Sequence, residues 1–121
     1  MNPVGWFEIY VQDADRARAF YEAVFQKPLT RLDSPVVEMW AFPMDMQKSG
    51  ASGALVKYAD KSSGVNSTIV YFSCEDCAVE EARAAENGGE VARPKISIGQ
   101  YGFISLVLDP DGNMIGLHSL K

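Results

Sequence analysis

The chain says one thing twice. "WFEIYVQDADRARAFYEAVF" reads as strand, turn and helix, and 63 positions on, counted from Asp13 to Asp76, "STIVYFSCEDCAVEEARAAENGG" reads the same way. In the first copy Phe7, Ile9 and Val11 alternate with Trp6, Glu8 and Tyr10, so one strand face packs beneath a helix and the other looks elsewhere. Asp13 is an N-cap, its carboxylate placed to accept from free amides of the first turn. Ala17, Phe20, Tyr21, Val24 and Phe25 then form one apolar helical stripe, which Lys27-Pro28 stops. In the second copy Thr68, Val70 and Phe72 alternate with Ile69, Tyr71 and Ser73, and Asp76 takes the cap position. That helix is expected to run to about Asn87, to end on Gly88-Gly89, and to turn Ala78, Ala82 and Ala85 inward.

Short strand-like runs follow each helix. They cover 29–32, 38–42 and 54–58 in the first half, and 91–93, 103–108 and 115–119 in the second. The polar stretch "ADKSSGVNS" between the halves reads as a linker. The expected organisation is one α+β domain of two tandem βαβββ modules, residues 4–58 and 68–119, joined by 59–67.

Composition narrows the function. Eleven basic residues against 16 acidic ones give a net charge of −5 without any Lys/Arg run, so the basic footprint of a nucleic-acid binder is missing. The N-terminus lacks a signal-peptide pattern and no apolar run is long enough to span a membrane, which reads as cytoplasmic with no membrane partner. Cys74 and Cys77 have C-x-x-C spacing. With no second Cys/His pair to complete a zinc site, and no thioredoxin-like setting for a redox pair, they read as a strand-end residue and a helix-start residue. "DPDGN" opens like a calcium loop, but Met114 and Leu120 stand where that loop needs Gly and Glu. A turn with Pro110 second and Gly112 fourth explains it better. "VEEARAAE" reads as a solvated acidic helix face, and Met39 and Trp40 as core.

Tandem βαβββ modules, "VQDADRARAFYEAVF" after the first strand and "LDPDGNMIGL" at the last resemble the vicinal-oxygen-chelate superfamily, over about Val4 to Ser119. That superfamily includes glyoxalase I, bleomycin-resistance proteins and extradiol dioxygenases. The resemblance implies curled mixed sheets around a pocket, one helix per module on the outside, and a homodimer. In metal-using relatives, His, Gln or Glu on the first and fourth strands of paired modules hold a divalent ion that acts as a Lewis acid. Carried onto this sequence, those slots fall on Trp6, Ile69 and Gly116, with a fourth inside 52–58 whose register stays open. None offers a carboxylate or imidazole, so no cofactor is expected, with a divalent metal left as the disfavoured exception.

Strand alternation puts Glu8 and the chain's single histidine, His118, on the slot faces. The expected ligand-binding lining is Trp6, Glu8, Tyr10, Ile69, Tyr71, Ser73, Gly116 and His118; "GQYG" reads mainly as a hairpin turn, from which Gln100 and Tyr101 can overhang the rim. Three readings of Glu8 and His118 stay open: a relocated metal pair, a catalytic carboxylate–imidazole dyad, or ordinary strand-end polar residues. The leading expectation is a small-molecule binder with an aromatic-lined, metal-free pocket. The alternatives are a divalent-metal lyase or dioxygenase with non-standard ligands, and a metal-free acid–base enzyme using Glu8 and His118.

Overall fold

Both aspartate caps form. Asp13 Oδ1 accepts from the Arg16 amide at 3.1 Å and Asp76 Oδ1 from the Ala78 amide at 3.0 Å, which starts α1 at Ala14 and α2 at Cys77. The computed structural model describes residues 2–59, 67–110 and 112–121. Eight strands accompany the helices: β1 Val4–Tyr10, β2 Thr30–Leu32, β3 Glu38–Ala41, β4 Ser52–Lys57, β5 Thr68–Ser73, β6 Glu90–Ser97, β7 Phe103–Leu108 and β8 Met114–Ser119. α1 spans Ala14–Phe25 and α2 Cys77–Glu86, an α+β layout of two βαβββ modules. Most of the expected linker, 60–66, lies outside the described residues, as does Asp111.

The chain divides into two compact units, Trp6–Thr68 and Ile69–Lys121, the latter joined by the residues before Trp6. The first has strand order β2-β3-β4-β1, with β1 parallel to β4 and the other pairs antiparallel. The second repeats this grammar as β6-β7-β8-β5, with β5 parallel to β8. Ser73 N donates to Pro3 O at 2.8 Å, which attaches the leading residues to the second unit. Among the described residues no helix is long and apolar enough to cross a membrane.

In the first unit the rings of Phe7 and Phe42 lie 5.6 Å apart and Tyr21 of α1 meets Phe42 at 5.8 Å, so the Phe7 face of β1 is the helix side. The expected apolar stripe of α1 is only half used. Ala14 is buried and Ala17 and Tyr21 are half-buried, but Phe20, Val24 and Phe25 are more than 50% exposed. The short sheet reaches only the flank of the helix that also carries Arg18. That guanidinium lies 3.6 Å over the Trp40 ring, so Trp40 serves packing on the helix side, as expected.

α2 departs further from expectation. Ala82 and Ala85 are exposed, and the inward side instead carries Cys77, Glu81 and Ala84. The "solvated" acidic face is therefore split. Glu81 Oε1 accepts from the Lys95 amide at 2.6 Å and from the Ser105 hydroxyl at 2.8 Å, with Ser105 fully buried. Helical spacing cannot distinguish the two sides here, because alanine is apolar enough for burial and small enough for exposure. The helix ends as expected, with Gly88 at φ 91° and the Gly89 amide bonded to Ala84 O.

β6 runs well beyond the expected 91–93. It continues through Pro94, which an edge strand with register irregularities tolerates because no ladder bond is lost on its open side. Gly112 N donates to Asp109 O at 2.9 Å, consistent with Pro110 second and Gly112 fourth in a turn, and Gly112 has φ 86°. Both cysteines are free. Cys77 packs wholly buried against Val107 and Leu117, while burial and then the Glu80 carboxylate push the Cys74 thiol up to about 11. These are structural positions, as the sequence suggested.

Candidate functional site

The residues expected to form the site fall into one group on each unit. On the first, alternation along β1 places Trp6, Glu8 and Tyr10 on the face opposite α1. Glu8 is only 9% exposed, and its carboxylate accepts from Tyr10 Oη at 2.8 Å and from Trp6 Nε1 at 3.3 Å. A buried carboxylate requires such donors, because leaving it bare costs several kcal/mol. Its cross-strand neighbours on β4 and β3, Ala54 and then Ala41, are small.

On the second unit, Ile69, Tyr71 and Ser73 share a face with Gly116 and His118, in the register Tyr71↔Gly116 and Ser73↔His118. A side chain at Gly116 would run into the Tyr71 ring, so the glycine is what lets that ring lie across β8. His118 Nε2 lies 2.6 Å from Tyr101 O, in the 3-10 turn 99–101 that precedes β7. A carbonyl can only accept, so Nε2 carries the proton and Nδ1 is left as the basic nitrogen. Glu8 and His118 thus each hold partners on their own unit. Gln100 and Tyr101 sit on that exposed turn, and Tyr101 reaches His118 through its backbone, a role the sequence did not announce. Removing the imidazole with His118→Ala is expected to cost about 1 kcal/mol, read by urea unfolding, and to loosen the 99–101 turn in hydrogen exchange. Unchanged exchange there would sink that assignment.

The strand registers also place the fourth metal slot. The repeat maps Tyr71 onto Glu8, and since Tyr71 pairs with Gly116 while Glu8 pairs with Ala54, the open slot falls on Ala54. Trp6, Ala54, Ile69 and Gly116 together offer no donor suited to a divalent ion. Among the described residues no three His, Cys, Asp or Glu gather closely enough to hold a metal ion. The residues present therefore do not fit the metal centre of the metal-using relatives.

The profile of the Glyoxalase/Bleomycin resistance protein/Dioxygenase superfamily matches residues 4–117. The chain belongs to that superfamily. Solved superfamily-like structures agree in fold. The methylmalonyl-CoA epimerase from Mycobacterium tuberculosis is 16% identical with a TM-score of 0.71, covering 98% of this chain and 88% of that one. A methylmalonyl-CoA epimerase from Streptomyces coelicolor in complex with 2-nitronate-propionyl-CoA is 15% identical with a TM-score of 0.71, covering 98% and 97%. A hypothetical protein from Bacillus halodurans C-125 is 11% identical with a TM-score of 0.72, covering 98% and 94%. No curated protein sequence matches the chain. At these identities the likeness is one of fold, and within this superfamily fold leaves the chemistry to the individual site.

Proposed function

We propose that this superfamily member binds a small, flat, aromatic or oxygenated organic molecule, preferentially a cationic one, without the usual metal. The observation that carries the reading is Glu8, a nearly buried carboxylate held in place by two aromatic donors, Trp6 and Tyr10. Such a group supplies a fixed negative end, and the adjoining rings supply stacking surface. The net charge of −5 favours approach of a cation. Ile69, Tyr71, Ser73, Tyr101, Gly116 and His118 are proposed as ligand-contacting residues of the second module. Homodimerisation belongs to the same proposal and is read directly by sedimentation velocity.

In a Trp40→Phe background, which leaves Trp6 as the only reporter, planar organic cations are expected to quench fluorescence saturably. Glu8→Gln keeps the shape and removes the charge, and is expected to weaken binding about tenfold or more. Quenching that never saturates, or that is indifferent to Glu8→Gln, would refute the reading.

A second reading has one specific observation in its favour. The Tyr101 carbonyl fixes the His118 tautomer and leaves Nδ1 free to take a proton, which suits a metal-free acid–base enzyme with Glu8 as a further carboxylate. It requires turnover that collapses in both His118→Ala and Glu8→Gln. A lyase or dioxygenase with non-standard metal ligands has no donor set to support it among the described residues.

A further inference from the structure

The last turn of α1 holds one aromatic ring over an open space. Phe25 follows Tyr21 by one turn and Ala14 by three, so it lies on the side of the helix that faces the sheet. Ala14 is buried and Tyr21 packs edge-on against Phe42 at 5.8 Å, yet Phe25 is 58% exposed. Beside it is an open cleft of about 380 Å³ between the end of α1, β1 and the connection from β3 to β4. Tyr21 and Phe25 form one wall, their rings nearly parallel (14°) at 6.3 Å, and Phe7, Ile9, Phe42 and Pro43 form most of the rest. No lining residue carries a charge. The chain does little to fill this space itself. Ala51 at its border is small, and at Gly53 of β4, the cross-strand partner of Phe7, a Cβ would run into the Phe7 ring. Apolar surface left open in a concavity gains by being taken out of water, and a ligand of matching chemistry does this.

We propose that this cleft binds an uncharged molecule of one or two fused aromatic rings, stacked on Phe25 and bordered by Tyr21, Phe7 and Phe42. Aromatic rings favour offset-stacked and edge-on partners, so four of them around one cleft select a flat ring over a saturated body of the same size. The uncharged lining selects a neutral ligand, since an ion entering here would lose water without gaining a counter-charge. The volume is at the small end for ligand sites, which sets the limit of two rings. The cleft is a separate site from Glu8. Phe7 and Ile9 alternate with Glu8 along β1 and point to the α1 side of the sheet, whereas Glu8 points to the other. The two sites also differ in what they select, a cation at Glu8 and a neutral ring here.

The test is a nitrogen-edited NMR titration of the full chain with 2-naphthol and decahydro-2-naphthol, two neutral alcohols of similar size of which only the first is flat. Saturable shifts of the Tyr21, Phe25, Phe42 and Ala51 amides are expected with 2-naphthol, at an affinity about threefold or more above that of the saturated alcohol. Phe25→Ala removes the stacking ring and should weaken binding about tenfold. Ala51→Trp places a ring of the chain's own at the cleft and should compete with the ligand. Both positions are exposed, so neither variant endangers the fold. Shifts that never saturate, equal affinity for the two alcohols, or binding undiminished in both variants overturns the proposal. Shifts of the same four amides on raising the protein concentration without ligand would assign the cleft to a second copy of the chain, and the proposal would fail.

Discussion

Gly116→Glu, the single change that would put a family-type ligand into the last-strand slot, is expected to destabilise the protein by about 4 kcal/mol or more. The cause is steric before it is electrostatic. A Cβ at position 116 would fall on Cδ1, Cε1 and Cγ of Tyr71, well inside van der Waals contact. Tyr71 is 4% exposed, so its ring cannot swing into solvent, and the added carboxylate would be buried beside it. Gly116→Ala isolates the clash without the charge and should cost about 1–3 kcal/mol, the range of overpacking. Urea unfolding followed by circular dichroism checks both. Tyr71→Ala combined with Gly116→Ala should recover part of the loss, because the two substitutions meet at one contact and their effects are not additive. If Gly116→Ala proved neutral within a few tenths of a kcal/mol, Tyr71 would not be what keeps this slot empty.

Glu81→Ala is expected to cost about 2–4 kcal/mol. One carboxylate oxygen receives both the Lys95 amide of β6 and the buried hydroxyl of Ser105 in β7. Its removal leaves the amide without an acceptor and the hydroxyl with only Arg93 O, at 3.0 Å. Glu81→Gln retains an acceptor oxygen and should lose clearly less than the alanine variant. Hydrogen exchange at the Lys95 amide gives the local readout, with faster exchange in Glu81→Ala. A loss below about 0.5 kcal/mol, the level of an ordinary surface substitution, would show that α2 is held without this residue.

Glu81 illustrates where the linear pattern stops being informative. It lies in "VEEARAAE", where three alanines make either side of the helix equally plausible as the buried one. What turns Glu81 inward is a pair of donors from β6 and β7, 14 and 24 residues further along the chain. α1 fails in a related way. Its five-residue apolar stripe is real, but a helical pattern names a side without saying how wide a sheet will cover it, and Phe20, Val24 and Phe25 are left exposed. β6 extends past the expected 91–93 through Pro94, which an edge strand tolerates, and edge position is a property of the assembled sheet.

The sequence by itself determined what is settled within a few residues: the two aspartate caps, the glycine stop of α2, the 109–112 turn and the alternation of β1 and β5. Repeated in the same order, these local signals also determined the βαβββ grammar and the superfamily, and the residue types at Trp6, Ile69 and Gly116 already excluded the usual metal donors. Tertiary structure alone decided the fourth slot at Ala54, the Tyr71 ring across Gly116 and the Tyr101 carbonyl on His118. The division has one physical reason. Caps, turns and alternation are set by backbone geometry and hydrogen bonds that reach only a few residues. Which side chain fills a space or finds a donor depends on groups brought together from distant parts of the chain, and close packing permits them one arrangement.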